Sequence, residues 1–156
     1  VSDSAHRFKR PESVLVVIYT AEFEVLLLHR VQPFDFWQSV TGSLNWPDEA
    51  AASAARREVE EETGLYEVDG WTDWRLSENF EIDPKWTGRY GPGVTVNREH
   101  LFSLKLPDRR DIVIQPDEHV AWRWASFREA HDLAWSWTNR KALRLIAKTE
   151  SLTVLD

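Results

Sequence analysis

Arg57-Glu58-Val59-Glu60-Glu61-Glu62-Thr63-Gly64-Leu65 closes an Ala-rich, Glu/Arg-rich run that starts at Asp48. That composition predicts a helix from Asp48 to Thr63. Pro47 ends what precedes it, Asp48 is placed to cap the first turn, and Gly64 suits the left-handed residue past the last. On a helix Glu58 and Glu62 lie one turn apart on one face, with Glu61 close beside Glu58. Unpaired like charges at that spacing cost about 0.2–0.5 kcal/mol per pair, so a merely solvated helix would more naturally carry Lys or Arg there. Carboxylates gathered on a rigid helix are what hard divalent cations bind, with water and phosphate oxygens completing the shell. A Glu-rich solvated face is the other reading of the run taken alone. Arg57 can anchor one of these carboxylates, or the earlier Glu49.

On either side of the helix the pattern is β. Val14 to Tyr19 and Val25 to Leu28 are apolar runs separated by a hairpin-sized gap, and Trp37 to Val40 reads as a third strand before Thr41-Gly42. Leu65 to Phe80 leans towards strand. Asp83 to Asn97, with Pro84, Gly88, Gly91, Pro92 and Gly93, reads as loop. His100 to Leu106 and Val120 to Ala125 read as strands. Ser126-x-x-Glu129 is a capping box opening a short helix, and Lys141 to Lys148 carries Leu143, Ile146 and Ala147 at helical spacing. Mixed strands with an early and a late helix predict an α+β fold, layered α/β/α.

The chain has 156 residues, 42% of them hydrophobic, a net charge of −7 and no cysteine. One domain over residues 1–156 is expected at that length. The missing cysteine excludes disulfides, thiol catalysis and thiolate zinc sites. The acidity argues against nucleic-acid and anionic-membrane partners. No apolar window approaches 18 residues, and the polar Val1–Arg10 does not read as a secretory signal, so the expected setting is the cytoplasm.

Arg57-Glu58, aliphatic Val59, Glu61-Glu62 and Gly64-Leu65, with Glu49 eight residues before Arg57, resemble the fixed pattern of the Nudix hydrolase family. One departure is that six residues, Ser43 to Asp48, separate Gly42 from Glu49, where the family has five. Either the loop is one residue longer, the simpler account, or Ser43 fills the glycine slot. The resemblance implies a Nudix-type α/β/α sandwich with mixed β-sheet between helices. It implies hydrolysis of a nucleoside diphosphate linked to another group, with Glu58 and Glu62 binding Mg²⁺ (Mn²⁺ able to substitute). Glu61 would be a further ligand or proton acceptor, and Arg57 would belong to the same catalytic set. Metal in such a clamp neutralises phosphate oxygens and lowers the pKa of an attacking water.

Outside this box the chain is similar to the bacterial branch of the family that cleaves dihydroneopterin triphosphate in folate synthesis and also dATP. The residues carrying that likeness include Phe8-Lys9-Arg10-Pro11, Phe36-Trp37-Gln38-Ser39-Val40-Thr41-Gly42-Ser43, Phe80-Glu81-Ile82, Arg89-Tyr90, Asn97, Glu118-His119, Ser136-Trp137 and Asn139-Arg140. The likeness implies Glu118 as a third metal ligand, and Lys9, Arg30, Thr41, Phe80, Glu81, Ile82, Asp83 and Ser136 as substrate contacts. The products would be pyrophosphate and dihydroneopterin monophosphate. Blander readings stand beside these: Glu118 as a solvated acid, Lys9 and Arg30 as surface cations, Ser136 as a helix cap. His29 and His119 read as structural, and Trp37, Phe80 and Trp86 are candidates to stack on a flat ring. Two rivals remain. One is a hydrolase mainly for dATP or another nucleoside triphosphate; the other is a non-catalytic nucleotide-binding module, which would typically have lost a box carboxylate. A second departure from the branch, an apparent insertion, lies near Pro116-Asp117. From Asp48 to Glu62 six carboxylates face two arginines, so the acidity concentrates where cations would meet a small triphosphate.

Overall fold

The computed structural model describes residues 7–152, so the polar start over residues 1–6 lies outside it. The elements are β1 Glu12–Thr20, β2 Glu24–Arg30, β3 Phe36–Gln38, β4 Val40–Ser43, α1 Ala51–Thr63, β5 Trp71–Glu81, β6 Val96–Leu106, β7 Ala121–Ser126, α2 Phe127–Leu133 and α3 Trp137–Thr149, with a 3₁₀ turn at Thr87–Arg89 before β6. The sheet runs β3-β2-β1-β6-β5, with β4 added on β1 and β7 on β2. β1 and β6 pair in parallel from Glu12↔Arg98 to Thr20↔Leu106, and the other strand pairs are antiparallel. A parallel pair needs a crossover, and the segment carrying α1 and β5 supplies it.

β1 is apolar along its length because both of its faces are covered. Val14, Val16 and Ile18 pack towards Ala54, Ala55 and Val59 of α1. Leu15, Val17 and Tyr19 pack towards Phe127 and Ala130 of α2 and Leu143 and Ile146 of α3. The result is the expected mixed sheet between helices. β1 and β2 stay together only near their turn, at Tyr19↔Val25. Beyond it β1 takes β4 from Val16↔Val40 to Ser13↔Ser43, while β2 takes β3 and β7. The sheet therefore splits at the end where β1 and β6 begin and β2, β4 and β5 finish.

Several boundaries differ from the sequence reading for local reasons. α1 starts at Ala51, and Asp48 does not cap it: the N-cap is Ala50, with no side-chain bond. The preceding loop is curled instead by Glu49, whose Oε1 accepts from the Asn45 backbone N–H at 2.8 Å. Gly64 does end the helix, at φ 78°, its N–H reaching Glu60 O. The strand read as Trp37 to Val40 is broken at Ser39, where the Asn139 side chain accepts from Ser39 N–H at 2.9 Å and donates to Ser39 Oγ at 3.0 Å. That buried exchange ties the β3–β4 junction to α3. Four residues earlier than the periodicity suggests, α3 begins at Trp137, because Ser136 Oγ accepts from Asn139 N–H. Ser126 caps α2 through Glu129 N–H as its capping box predicts. β6 starts at Val96, inside the stretch read as loop, and β5 takes only Trp71 onward of the stretch from Leu65. No helix among the described residues is long and apolar enough to cross a membrane.

Candidate active site

Where the sheet splits, it leaves a cavity of about 430 Å³. Lys9, Arg30, Thr41, Glu58, Glu61, Glu62, Phe80, Glu81, Ile82, Asp83, Glu118 and Ser136 all line it. These residues come from seven separate stretches of chain, and the fold brings them to one place. Arg57 and Trp37 are not in the wall. Trp37 stacks instead on His29, with centroids 4.4 Å apart, and His29 in turn pairs with Asp35 at 2.7 Å. Of the three stacking candidates, Phe80 and Trp86 face the cavity.

Arg57 stands behind the wall and holds it. Its guanidinium grips Glu49 through two bonds of 2.9 and 2.8 Å, donates to Ser43 O at 3.0 Å and to Glu58 Oε1 at 2.9 Å, and reaches Glu61 at 3.3 Å. A planar fork with five N–H donors can serve four acceptors at once, which a lysine cannot. One side chain thus fixes the β4 end, the loop before α1 and two α1 carboxylates. Gly42 shows the closeness of β4 and α1: a Cβ there would lie 2.0 Å from Glu58 Cδ. This close approach at Gly42, not Ser43, marks it as the required glycine and makes the loop to Glu49 one residue longer.

Glu62 is the most unusual group in the cavity. It is 2% exposed, and among the described residues neither of its oxygens has a hydrogen-bond partner. Burial first, then Glu58 and Glu118, push its pKa well above the usual carboxylate range. Glu58, half-buried, is raised as well, burial again outweighing the pull of Arg57. One ligand atom each of Glu62, Glu118 and His119 lie within 4.8 Å of one another. His119 does not neutralise Glu62. Its Nε2 stands 3.7 Å away, and burial, with Arg30, lowers its pKa to about 4, so the ring is uncharged at neutral pH. A buried carboxylate without a donor is costly unless a cation completes it. Glu58, Glu62 and Glu118 offer oxygen donors of the kind Mg²⁺ and Mn²⁺ take, and the unsatisfied oxygens of Glu62 fit such an ion.

Positive groups face these acids. Lys9 stands at the exposed rim; desolvation, then Arg89, lowers its pKa, while Glu58 pulls the other way. Arg30, half-buried at the end of β2, is lowered by burial and then by Arg89, with Glu118 and Glu62 opposing. Ser136 caps α3 and lines the cavity at once, so the two readings of it coexist.

Sequence reasoning gave no role to several wall residues. Trp135 is one: it stands 5.3 Å from Trp86, itself a stacking candidate, in a cluster completed by Phe34 and Phe36. Gln38, Asn97, Glu99 and Thr138 are buried polar residues in the wall. The available signal was polar residues at inward positions of apolar strands, as in Val96-Asn97-Arg98-Glu99, but it needed the register to be read.

Comparison with known proteins agrees with this geometry. Residues 9–146 match the NUDIX domain family. The chain is 44% identical over 140 residues to the dihydroneopterin triphosphate diphosphatase of Escherichia coli (strain K12), covering 87% of this chain and 91% of that one. It is 35% identical to the Haemophilus influenzae protein of the same name, covering 88% of each. The solved E. coli dihydroneopterin triphosphate pyrophosphohydrolase superposes with a TM-score of 0.84 at 42% identity, over 91% of this chain and 98% of that one.

Proposed function

The chain belongs to the NUDIX family, and we propose that it hydrolyses dihydroneopterin triphosphate to dihydroneopterin monophosphate and pyrophosphate with Mg²⁺, Mn²⁺ substituting. The observation that carries the reading is Glu62, buried and without a donor, sharing one cavity with Glu58, Glu118, Lys9 and Arg30. The relatives' names supply the substrate.

Glu58, Glu62 and Glu118 would hold the cation. Bound there, it would offset phosphate charge and acidify a water. Lys9 and Arg30 bind phosphate oxygens, Lys9 as a point charge and Arg30 as a fork. Glu61 is exposed and held at 3.3 Å by Arg57, placed to accept a proton or serve as a further ligand. Arg57 is a positioning residue for the α1 carboxylates. Thr41, Ser136 and the segment from Phe80 to Asp83 close the wall around the rest of the substrate. A cysteine-free chain suits the cytoplasmic setting included in this proposal.

The test is pyrophosphate release from dihydroneopterin triphosphate and dATP, side by side with Mg²⁺. The expected result is the higher kcat/KM for the pterin. A preference for dATP of about tenfold or more would overturn the substrate assignment. If Glu58→Gln left metal-dependent release unchanged, the ligand assignment would fail.

A further inference from the structure

The carboxylate cluster accounts for the triphosphate; the polar floor of the same cavity remains. On β6, Asn97 and Glu99 are 1% and 8% exposed, both buried yet both in the cavity wall. They alternate with His100 and Phe102, so they point to the α3 face of the sheet and away from α1. Asn97 is held by its amide nitrogen, which donates to Ser13 Oγ at 2.8 Å. That contact sets the flip of the amide and turns its carbonyl oxygen away as an acceptor. This oxygen has no partner among the described residues. Glu99 sits two residues on, opposite Ser13 in the parallel register, with the Thr138 hydroxyl beside its carboxylate. Burial pushes the Glu99 carboxyl up to about 7.

An unpartnered buried acceptor costs stability, and one aimed into a cavity is completed by a ligand donor. Asn97 Oδ1, which is unpartnered among the described residues, and the Glu99 carboxylate, which has the Thr138 hydroxyl beside it, are two acceptors on one strand face and suit a flat ring that presents adjacent N–H donors. We propose that Asn97 Oδ1 and the Glu99 carboxylate form a recognition subsite for a 2-amino-4-oxopyrimidine edge, the edge shared by pterins and guanine. Its ring N–H and exocyclic amino group donate side by side, a pattern a carboxylate accepts through both oxygens. Adenine offers one amino donor beside a ring nitrogen lone pair, which would face an acceptor. The subsite therefore selects against adenine. Trp135 and Trp86 supply an aromatic wall to the same cavity. This inference rests on the cavity holding the heterocycle of a triphosphate, as proposed above.

GTP and ITP differ only in the exocyclic amino group and test the subsite from the ligand side. Wild-type kcat/KM for GTP is expected to exceed that for ITP by about 10- to 100-fold, the range a charge-assisted hydrogen bond gives. Glu99→Gln, nearly isosteric, replaces one acceptor oxygen by a donor. It is expected to shrink the GTP/ITP ratio about tenfold or more. No wild-type discrimination, or the same ratio in Glu99→Gln, would overturn the proposal. Should Glu99→Gln not fold, wild-type dissociation constants for guanosine and inosine, measured calorimetrically without metal, decide alone. Equal affinities overturn the subsite, and tighter guanosine supports it. The binding measurement involves no hydrolysis, so loss of the proposed activity and loss of the subsite are read separately.

Discussion

Glu62 and Glu99 are both buried glutamates in one cavity, yet they meet opposite conditions. Glu62 comes from α1 and has two other carboxylates, Glu58 and Glu118, acting on it. Glu99 comes from β6 and has a hydroxyl, Thr138, beside it, with the charged Glu78 only a lesser influence. A carboxylate among carboxylates needs a cation. A carboxylate beside a hydroxyl and a free amide carbonyl is completed by neutral N–H donors. In the proposed division the helix end would provide the chemistry and the strand floor the recognition.

The strongest way to break this division is Glu62→Gln. A neutral amide cannot replace the central anionic ligand, so kcat should fall by about a thousandfold or more. Mn²⁺ binding followed by calorimetry should weaken with it, and the rise in Tm that Mg²⁺ gives the wild type should shrink. Retained activity with retained Mn²⁺ affinity would mean the cation is held elsewhere.

Glu99 is tested by stability against pH. Its folded pKa, about 7, lies above the ordinary 4.5. The folded state therefore binds more protons between those values, and stability present below about pH 4.5 is lost as pH rises through 7. Thr138 favours the charged form, while Glu78 across the β5–β6 pair opposes it and is itself paired with Lys141. Glu99→Gln does not titrate. From pH 5 to 8 the wild type should lose up to about 3 kcal/mol relative to the variant. Urea unfolding at both pH values measures this, and a constant difference would show Glu99 to be solvated.

Arg57→Lys comes next. Lysine keeps the charge but cannot serve Glu49, Ser43 O, Glu58 and Glu61 together, so kcat should fall about 10- to 100-fold, in the range for lost support of metal ligands. The GTP/ITP ratio should not move with it. A shift in that ratio would show the two ends to be coupled.

The helix end was legible because its chemistry is local. Glu58, Glu61 and Glu62 share a face by helical spacing alone, and Gly64 ends the helix where its conformational freedom requires. Arg57 to Glu49 is one short step back along the chain. The floor was not legible in the same way. Asn97 ends the stretch whose glycines and prolines read as loop, and Glu99 lies just past it. Their inward direction depends on β6 pairing with β1 in parallel, a contact between residues more than 80 apart. The Asp48 cap failed for a related reason: Glu49, committed to Arg57, sets the loop geometry before the helix can use Asp48. Local spacing can reveal a metal clamp, but a recognition floor built across strands requires the register.

Gly42→Ala separates the two ends most finely. A Cβ at Gly42 would stand 2.0 Å from Glu58 Cδ and 2.2 Å from its Oε1, so the side chain must move. The obstacle is the far end of a flexible glutamate, not backbone, so β4 can keep its pairing with β1 and the fold should survive. Glu58 would be displaced from Arg57 and from Glu62 by an ångström or more. Misplacing a ligand on that scale should cost about tenfold in kcat. Nothing on β6 is touched, so the GTP/ITP ratio should stay at its wild-type value. Full activity in Gly42→Ala, with Tm unchanged, would show that Glu58 has room to spare and that this glycine does not set its position.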